Sequence, residues 1–427
     1  MKKMQAARIE SRKAAAKSPA PARPAPRNRP AAQPSAPDPR RARELVLRML
    51  AIPGKSGEEG RVLGFIREQL RRAGAPTEAI RSDQAHKQSP LGGEAGNLVC
   101  KLPGTRRGPR RLLMAHVDTV PLCEGVKPVV RDGIVVPADK STALGADDRA
   151  GAAVVLTTAL EILRQGAPHP PLTFFWTVQE EVGLLGARHA RLSMLGKPHL
   201  AFNYDGGSPE KLTIGATGGY RIRIDVKGLA SHAGGAPEDG VSAIAIASLA
   251  IAELHREGWH GQIQKDGRSG TSNVGVIRGG EATNVVTPHV EVHAEARSHH
   301  PAFRRQIVRA IERAFRGAAK SVCNREGACG RIEFQGRLDY ESFKLKADEP
   351  SVLVAQAAIR TAGGEPELAI SNGGVDANWM TARGIPTVTL GCGQRNPHTT
   401  AEKLHLAEFQ QACRIALCLA TGTEQGG

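Results

Sequence analysis

The run LLMAHVDTV at 112–120 carries an apolar, strand-like stretch onto an imidazole and a carboxylate two residues apart, His116 and Asp118. Alternate positions on a strand share one side. The pair therefore suits a metal-binding histidine whose second ring nitrogen is held by a carboxylate, with Asp118 orienting His116 rather than ligating. Further acid or imidazole segments follow in order: GADDRAG at 145–151, TVQEEVGLLG at 177–186, NYDGG at 203–207 and NPHTTAEKLH at 396–405. Two divalent cations need a shared carboxylate, terminal ligands for each and a water between them. His116, Asp147, Glu181, Asp205 and His398 are the candidates. Each segment alone has a plainer reading, as a helix cap, a solvated glutamate pair or a surface strand end. Their order and chemical completeness favour a two-metal hydrolase. Within the Glu180–Glu181 pair one residue can bind metal while its neighbour serves as base.

These groups need strand ends to carry them. NLVCKL at 97–102, RRLLMAH at 110–116, LTFFWTV at 172–178 and LAFNY at 200–204 read as strands, with helices expected over 42–52, 58–73 and 149–165. The near-continuous apolar run LTFFWTV suits a strand covered on both faces. Strand and helix alternation is the grammar of an α/β domain. The pattern then changes. YRIRIDVKG at 220–228 and HVEVHAEARS at 289–298 alternate apolar and polar, and helices are expected over 239–256 and 301–319. That β-α-β-β-α-β order is a ferredoxin-like α+β unit. After about residue 340 the α/β style returns, with helices over 349–362 and 406–420 flanking a strand at 385–391. The expectation is a tail at 1–41, a mixed-sheet catalytic domain from 42–217 and 339–427, and an inserted lid at 218–338. His232, in GLASHAGGAPEDG, falls in that lid, where it could donate to a substrate oxygen.

Composition narrows the classes. The formal charge is +16, but residues 1–40 alone contribute a net +8 from an Ala/Pro/Arg-rich stretch unable to build a core. The rest of the chain is mildly basic, which argues against nucleic-acid binding. No stretch is long and apolar enough to span a membrane. Seven dispersed cysteines without a CxxC pair suggest buried thiols in a reducing compartment, hence a cytoplasmic protein, although Cys323 and Cys329 are close enough in sequence to pair.

The ordered series HVDTV, LGADDRAG, QEEVGLLGA, YDGG, SHAG and PHTTAEKLH resembles the co-catalytic zinc metallopeptidases that include peptidase T, carboxypeptidase G, acetylornithine deacetylase and succinyl-diaminopimelate desuccinylase. The resemblance spans about residues 42–422 and is strongest to the tripeptidase-like branch. It implies a zinc-exopeptidase-like catalytic domain, a lid that also dimerises, and two zinc ions per subunit replaceable by cobalt or manganese. On that resemblance His116 and Asp205 hold one zinc and Glu181 and His398 the other. Asp147 bridges them through a cis bond to Asp148, Asp118 supports His116, and Glu180 is the general base. His232 becomes an oxyanion donor that reaches the partner subunit's site in a homodimer. Asn284 and Arg297 contact substrate, and SNGGVDANW at 371–379 supplies the substrate turn with Asn372 and Gly374. Peptidase T has an arginine near Asn372; this chain does not. The implied activity is removal of the N-terminal residue from short peptides, with dipeptidase, carboxypeptidase or N-acyl amino acid deacylase activity as the alternative. A non-catalytic scaffold and nucleic-acid binding through the tail are the readings from other classes.

Overall fold

The computed structural model describes residues 36–422. The expectation for the tail falls largely on residues outside that range. Its boundary moves, however: the first helix is Pro39–Leu50, with the Asp38 carboxylate accepting from the backbone N–H groups of Arg40 and Arg41, so residues 39–41 are helical.

A nine-stranded mixed sheet organises the α/β part. Its order is Ile80–Ser82, Leu98–Leu102, Leu172–Thr177, Arg111–His116, Leu200–Tyr204, Thr387–Leu390, Lys211–Ala216 and Phe343–Lys344, with Glu367–Ser371 pairing in parallel with Lys211–Ala216. The four strands from Leu172–Thr177 through Thr387–Leu390 run parallel. Every residue of Arg111–His116 and Leu172–Thr177 is buried. On Arg111–His116, Leu113 and Ala115 face one core with the helices Ala146–Gln165 and Leu406–Thr421. Leu112 and Met114 face a second with Met380 and Ile385. Coverage on both faces explains why these strands read as unbroken apolar runs. Each Leu or Met so buried contributes roughly 1.5–3 kcal/mol.

Residues 218–340 form their own five-stranded antiparallel sheet, ordered Gly261–Lys265, Arg268–Gly279, His289–Ser298, Gly218–Lys227, Arg331–Tyr340. Ile222, Ile224 and Val226 point into a separate core under the helices Ala243–Arg256 and Pro301–Ser321. The alternating strands therefore do what their pattern implies, one face on helices and one left open. The Gly261–Lys265 strand is an addition to the expected unit. A third sheet, joining Pro128–Arg131, Ile134–Pro137, Lys403–His405 and Gln394–Arg395, was not anticipated either. After QEEV the chain forms only the short helix Leu185–Arg188.

The cysteines depart from expectation at one place. Cys323 and Cys329 face each other as a bridge pair where the chain turns back and are joined as a disulfide; Cys100, Cys123, Cys392, Cys413 and Cys418 are free. Among the described residues no helix is long and apolar enough to cross a membrane.

Candidate metal centre

His116 is the last residue of Arg111–His116, Asp205 follows Leu200–Tyr204, and Glu180 and Glu181 lie just beyond Leu172–Thr177. Asp147 opens the helix Ala146–Gln165, where the Asp147–Asp148 peptide is cis. The strands are parallel neighbours, so their carboxyl ends converge, the usual location of an α/β site. His398 arrives from the loop between Gln394–Arg395 and Lys403–His405. Gly151 lets the helix close on this point: a Cβ there would lie 2.3 Å from Asp148 Oδ1 and 2.4 Å from the Tyr204 carbonyl oxygen.

All five expected ligands come together. His116 Nε2 is 3.2 Å from Asp147 Oδ1, and His398 Nε2 is 3.3 Å from Asp147 Oδ2 and 2.8 Å from Glu181 Oε2. Asp147 thus touches both histidines, one through each oxygen. Potential ligand atoms of His116, Asp147 and Glu181 lie within 4.8 Å of one another, as do those of His116, Glu180 and Asp205, and of Asp147, Asp148 and Asp205. The three groups adjoin one another, with His116, Asp147 and Asp205 each belonging to two of them. Proximity alone does not divide the roles of Glu180 and Glu181, since each belongs to a cluster.

Electrostatics fit a cationic occupant. Burial, reinforced by neighbouring carboxylates, pushes the Asp205 and Glu180 carboxyls well above their ordinary range. Burial also opposes ionisation of Asp147, but hydrogen bonds from His116 and His398 hold it below. Those bonds to Asp147 and Glu181 raise the His398 imidazole to about 10. The pocket is thus rich in carboxylates whose charges lack compensation. Its oxygen and imidazole nitrogen donors are those zinc accepts, so the residues present fit a pair of divalent cations.

A supporting layer fixes these groups. His116 Nδ1 is 3.1 Å from the Asp118 carbonyl oxygen and 3.4 Å from its Oδ1. The same Asp118 accepts from Ser56 Oγ at 2.7 Å and from the backbone N–H of Glu180 and Glu181 at 2.9 and 3.1 Å, so it orients both the histidine and the glutamate turn. Glu402 accepts from the Gly145 and Asp147 N–H groups at 2.7 and 2.9 Å. Asp376 bonds Thr177 Oγ1 at the end of its strand. Ser56, Glu402 and Asp376 were not singled out from sequence. Glu402 lay inside a segment already marked, but its role needs the third sheet to bring it to the Asp147 turn. Gln179 and His398, beside and within the site, hold the left-handed conformation at φ 55° and 62°. Such strain in non-glycine residues concentrates at functional positions.

The remaining expected residues lie apart from this cluster. His232 is exposed, and its Nδ1 accepts from the N–H groups of Gly234 and Gly235 at 3.2 and 2.9 Å. A ring held that way carries its proton on Nε2, which is left to donate. Asn284 adjoins it: its carbonyl accepts from the Ala233 N–H, and His232 bridges Val285. Among the described residues no hydrogen bond or ion pair joins His232 to the acid cluster. Arg297 makes two 3.0 Å hydrogen bonds with Glu295 on the open face of the second sheet. Asn372 Oδ1 accepts from His299 Nε2 at 3.0 Å, and Gly374 packs against Tyr340.

Comparison with known proteins agrees with this geometry. The model of peptidase family M20/M25/M40 matches residues 112–421. The uncharacterised protein YqjE of Bacillus subtilis is 32% identical over 381 residues, covering 89% of this chain and 97% of its own. A tripeptidase from Staphylococcus aureus superposes with a TM-score of 0.81 at 31% identity, over 91% of this chain and 99% of that one. The aminopeptidase PepT of Bacillus cereus does so with a TM-score of 0.77 at 30% identity, over 90% and 98%. A converging set of acids and histidines, a mixed sheet with a separate antiparallel one, and a match across most of the chain lead to one assignment: the chain belongs to peptidase family M20/M25/M40.

Proposed function

We propose that this protein is a binuclear zinc aminopeptidase that releases the N-terminal residue of short peptides. The observation that carries the reading is Asp147, whose two oxygens each meet a histidine and which belongs to two of the three adjoining groups of ligand atoms. His116 and Asp205 would hold one zinc, Glu181 and His398 the other, with Asp147 shared; cobalt or manganese would serve in place of zinc. When bound, such a pair supplies Lewis acidity toward the scissile carbonyl and lowers the pKa of a water.

The protein's own groups do the rest. Glu180 takes the proton from the attacking water and delivers it to the leaving amine. Asp118 keeps the Glu180 backbone and the His116 ring in place. His232 donates from Nε2 to the oxyanion. As it has no link to the acid cluster of its own chain, it serves the site of a second copy in a homodimer. Arg297 pairs with the peptide carboxylate in the bidentate manner that Asn372 cannot reproduce, and Asn284 contacts substrate beside His232. With Asn372 in place of an arginine, length dependence is looser than in a strict tripeptidase. We take the location as cytoplasmic, with five of the seven cysteines free and Cys323 and Cys329 the one joined pair.

The test is a release assay with zinc over di- and tripeptides, their C-terminal amides and N-acyl amino acids. Appearance of the N-terminal residue, slowed by amidation in wild type but not further in Arg297→Ala, is the expected result. Brisk cleavage of N-acyl amino acids with no cleavage of free peptides would replace this reading with a deacylase.

A further inference from the structure

The strand Arg331–Tyr340 breaks step just before it leaves the second sheet. Leu338 pairs with Tyr220 but Tyr340 pairs with Gly219, so Asp339 is an extra residue in a bulge. The consequence is directional. On the paired strand Gly218–Lys227, residues 222, 224 and 226 face the helices and residues 221 and 223 the open side. Without the bulge, Tyr340 would follow Leu338 toward the helices. With it, Tyr340 stands opposite Gly219 on the open side. Bulges of this kind re-aim side chains beside active sites.

Gly219 also pairs with Arg297 across its other edge. Arg297, Gly219 and Tyr340 therefore form one row, and the middle member has no side chain to separate the outer two. A Cβ at Gly219 would lie 2.8 Å from Tyr340 Cζ. From the α/β part, Gly374 closes on the same ring: a Cβ there would lie 2.5 Å from Cζ and 2.9 Å from the hydroxyl oxygen. Two glycines, one in the second sheet and one in the loop after Glu367–Ser371, make the berth of this one tyrosine. The bulged Asp339 faces Gly183, where an added Cβ would lie 3.9 Å from Asp339 Oδ1, and the Gly183 N–H is bonded to the Glu180 carbonyl. The strand end is thus a neighbour of the turn that carries Glu180.

Tyr340 is 6% exposed, and among the described residues its hydroxyl makes no hydrogen bond; that oxygen is not among the fully buried unpartnered atoms, so the ring is enclosed while its polar tip stays accessible and free to donate. Burial holds it above its ordinary range, while the charges of Arg297 and Glu180 both act on it, so it is present as a donor rather than a phenolate.

We propose that Tyr340 is a further substrate-contacting residue, its hydroxyl donating to the carbonyl oxygen of the residue that follows the scissile bond. This rests on the aminopeptidase reading. It places Tyr340 between the two ends of a short substrate, with Glu180 at the bond to be cut and Arg297 at the free carboxylate. A tripeptide has a carbonyl oxygen at that position; a dipeptide has none, because its second residue already bears the carboxylate. Tyr340 is then a source of preference for peptides longer than two residues.

The experiment crosses Tyr340→Phe with removal of the oxygen it would meet. kcat/KM is measured for wild type and variant on a tripeptide and on its trans-alkene isostere at the second peptide bond, both in zinc. Phe keeps the ring in its berth. Expected is a loss of about tenfold for the variant on the tripeptide, a similar loss for wild type on the isostere, and no further loss when both changes are combined, because one interaction cannot be removed twice. Equal isostere rates for wild type and variant also establish that the variant is folded. Losses that multiply, or a variant as fast as wild type on the tripeptide, overturn the proposal while leaving the aminopeptidase reading intact. A wild type that cleaves neither compound overturns both.

Discussion

Glu402→Gln is the most informative single change, because Glu402 touches no expected ligand side chain and yet sets the position of one. Its carboxylate is 1% exposed and accepts the Gly145 and Asp147 N–H groups at 2.7 and 2.9 Å. Glutamine keeps the size but offers only one acceptor oxygen, and its NH₂ group must face an N–H donor. One charge-assisted bond is lost and one buried donor is stranded, a cost of roughly 1.5–3 kcal/mol. The cost falls on the turn that presents Asp147 between His116 and His398, so zinc affinity should drop about 10–100-fold. Burial pushes the Glu402 carboxyl up to about 7. Below that value the wild-type group carries a proton and gives up one acceptor itself. The gap between wild type and variant should therefore widen as pH rises through about 7. Activity titrated against buffered free zinc at several pH values reads both quantities. A variant with wild-type zinc affinity across that range would refute the reasoning, since it would mean that Asp147 is placed without Glu402.

Three other outcomes are expected. Glu180→Gln should lower turnover by at least roughly 10²-fold with metal content near about two ions per chain, whereas Glu181→Gln should lose metal; the reverse behaviour would exchange the two roles. Mixing inactive Glu180→Gln and His232→Ala subunits should restore activity in the hybrid dimer, and a fully active monomer would exclude a site completed across the interface. The metal-free protein should melt at a lower temperature at pH 8 than at pH 5.5. Burial raises Glu59, Glu402 and Asp376 to about 7, 7 and 6 in the folded state, and hydrogen bonds raise His398 to about 10. The folded state thus binds more protons than the unfolded one over this window, so stability falls as pH rises. Zinc should reduce the difference, and a higher melting temperature at pH 8 without metal would contradict the assignment.

The parts legible in the sequence are those where one local signal determines the answer. LTFFWTV is apolar at successive positions because both of its faces are covered, and YRIRIDVKG alternates because only one is. His116, Asp147, Glu181 and Asp205 stand beside expected strand or helix ends, whereas His398 is marked by the segment NPHTTAEKLH alone. What escaped is set by long-range pairing. The hairpin Pro128–Arg131 and Ile134–Pro137 is short and mostly half-buried, and it makes sense only once Lys403–His405 joins it. Ser56 and Asp376 act through partners 62 and 199 residues away. The disulfide depends on a turn that brings Cys323 and Cys329 face to face, which their spacing permits but does not require. The bulge at Asp339 leaves no mark on composition at all.

The strand Thr387–Leu390 lies between Leu200–Tyr204 and Lys211–Ala216, which are joined directly in sequence but do not pair with each other. During synthesis the middle of the principal sheet is therefore missing until residues 387–390 have been made. The same closing stretch brings His398 and the Glu402 clamp on Asp147. Long-range strand insertion of this kind is slow, since chain entropy is lost before the contacts that offset it form. The growing chain accordingly passes through an extended interval with an open strand edge, the feature that most invites misassociation, and with no competent hydrolytic centre. Assembly of the hydrolytic centre is thus tied to insertion of the sheet's middle strand, since both wait on residues 387–402.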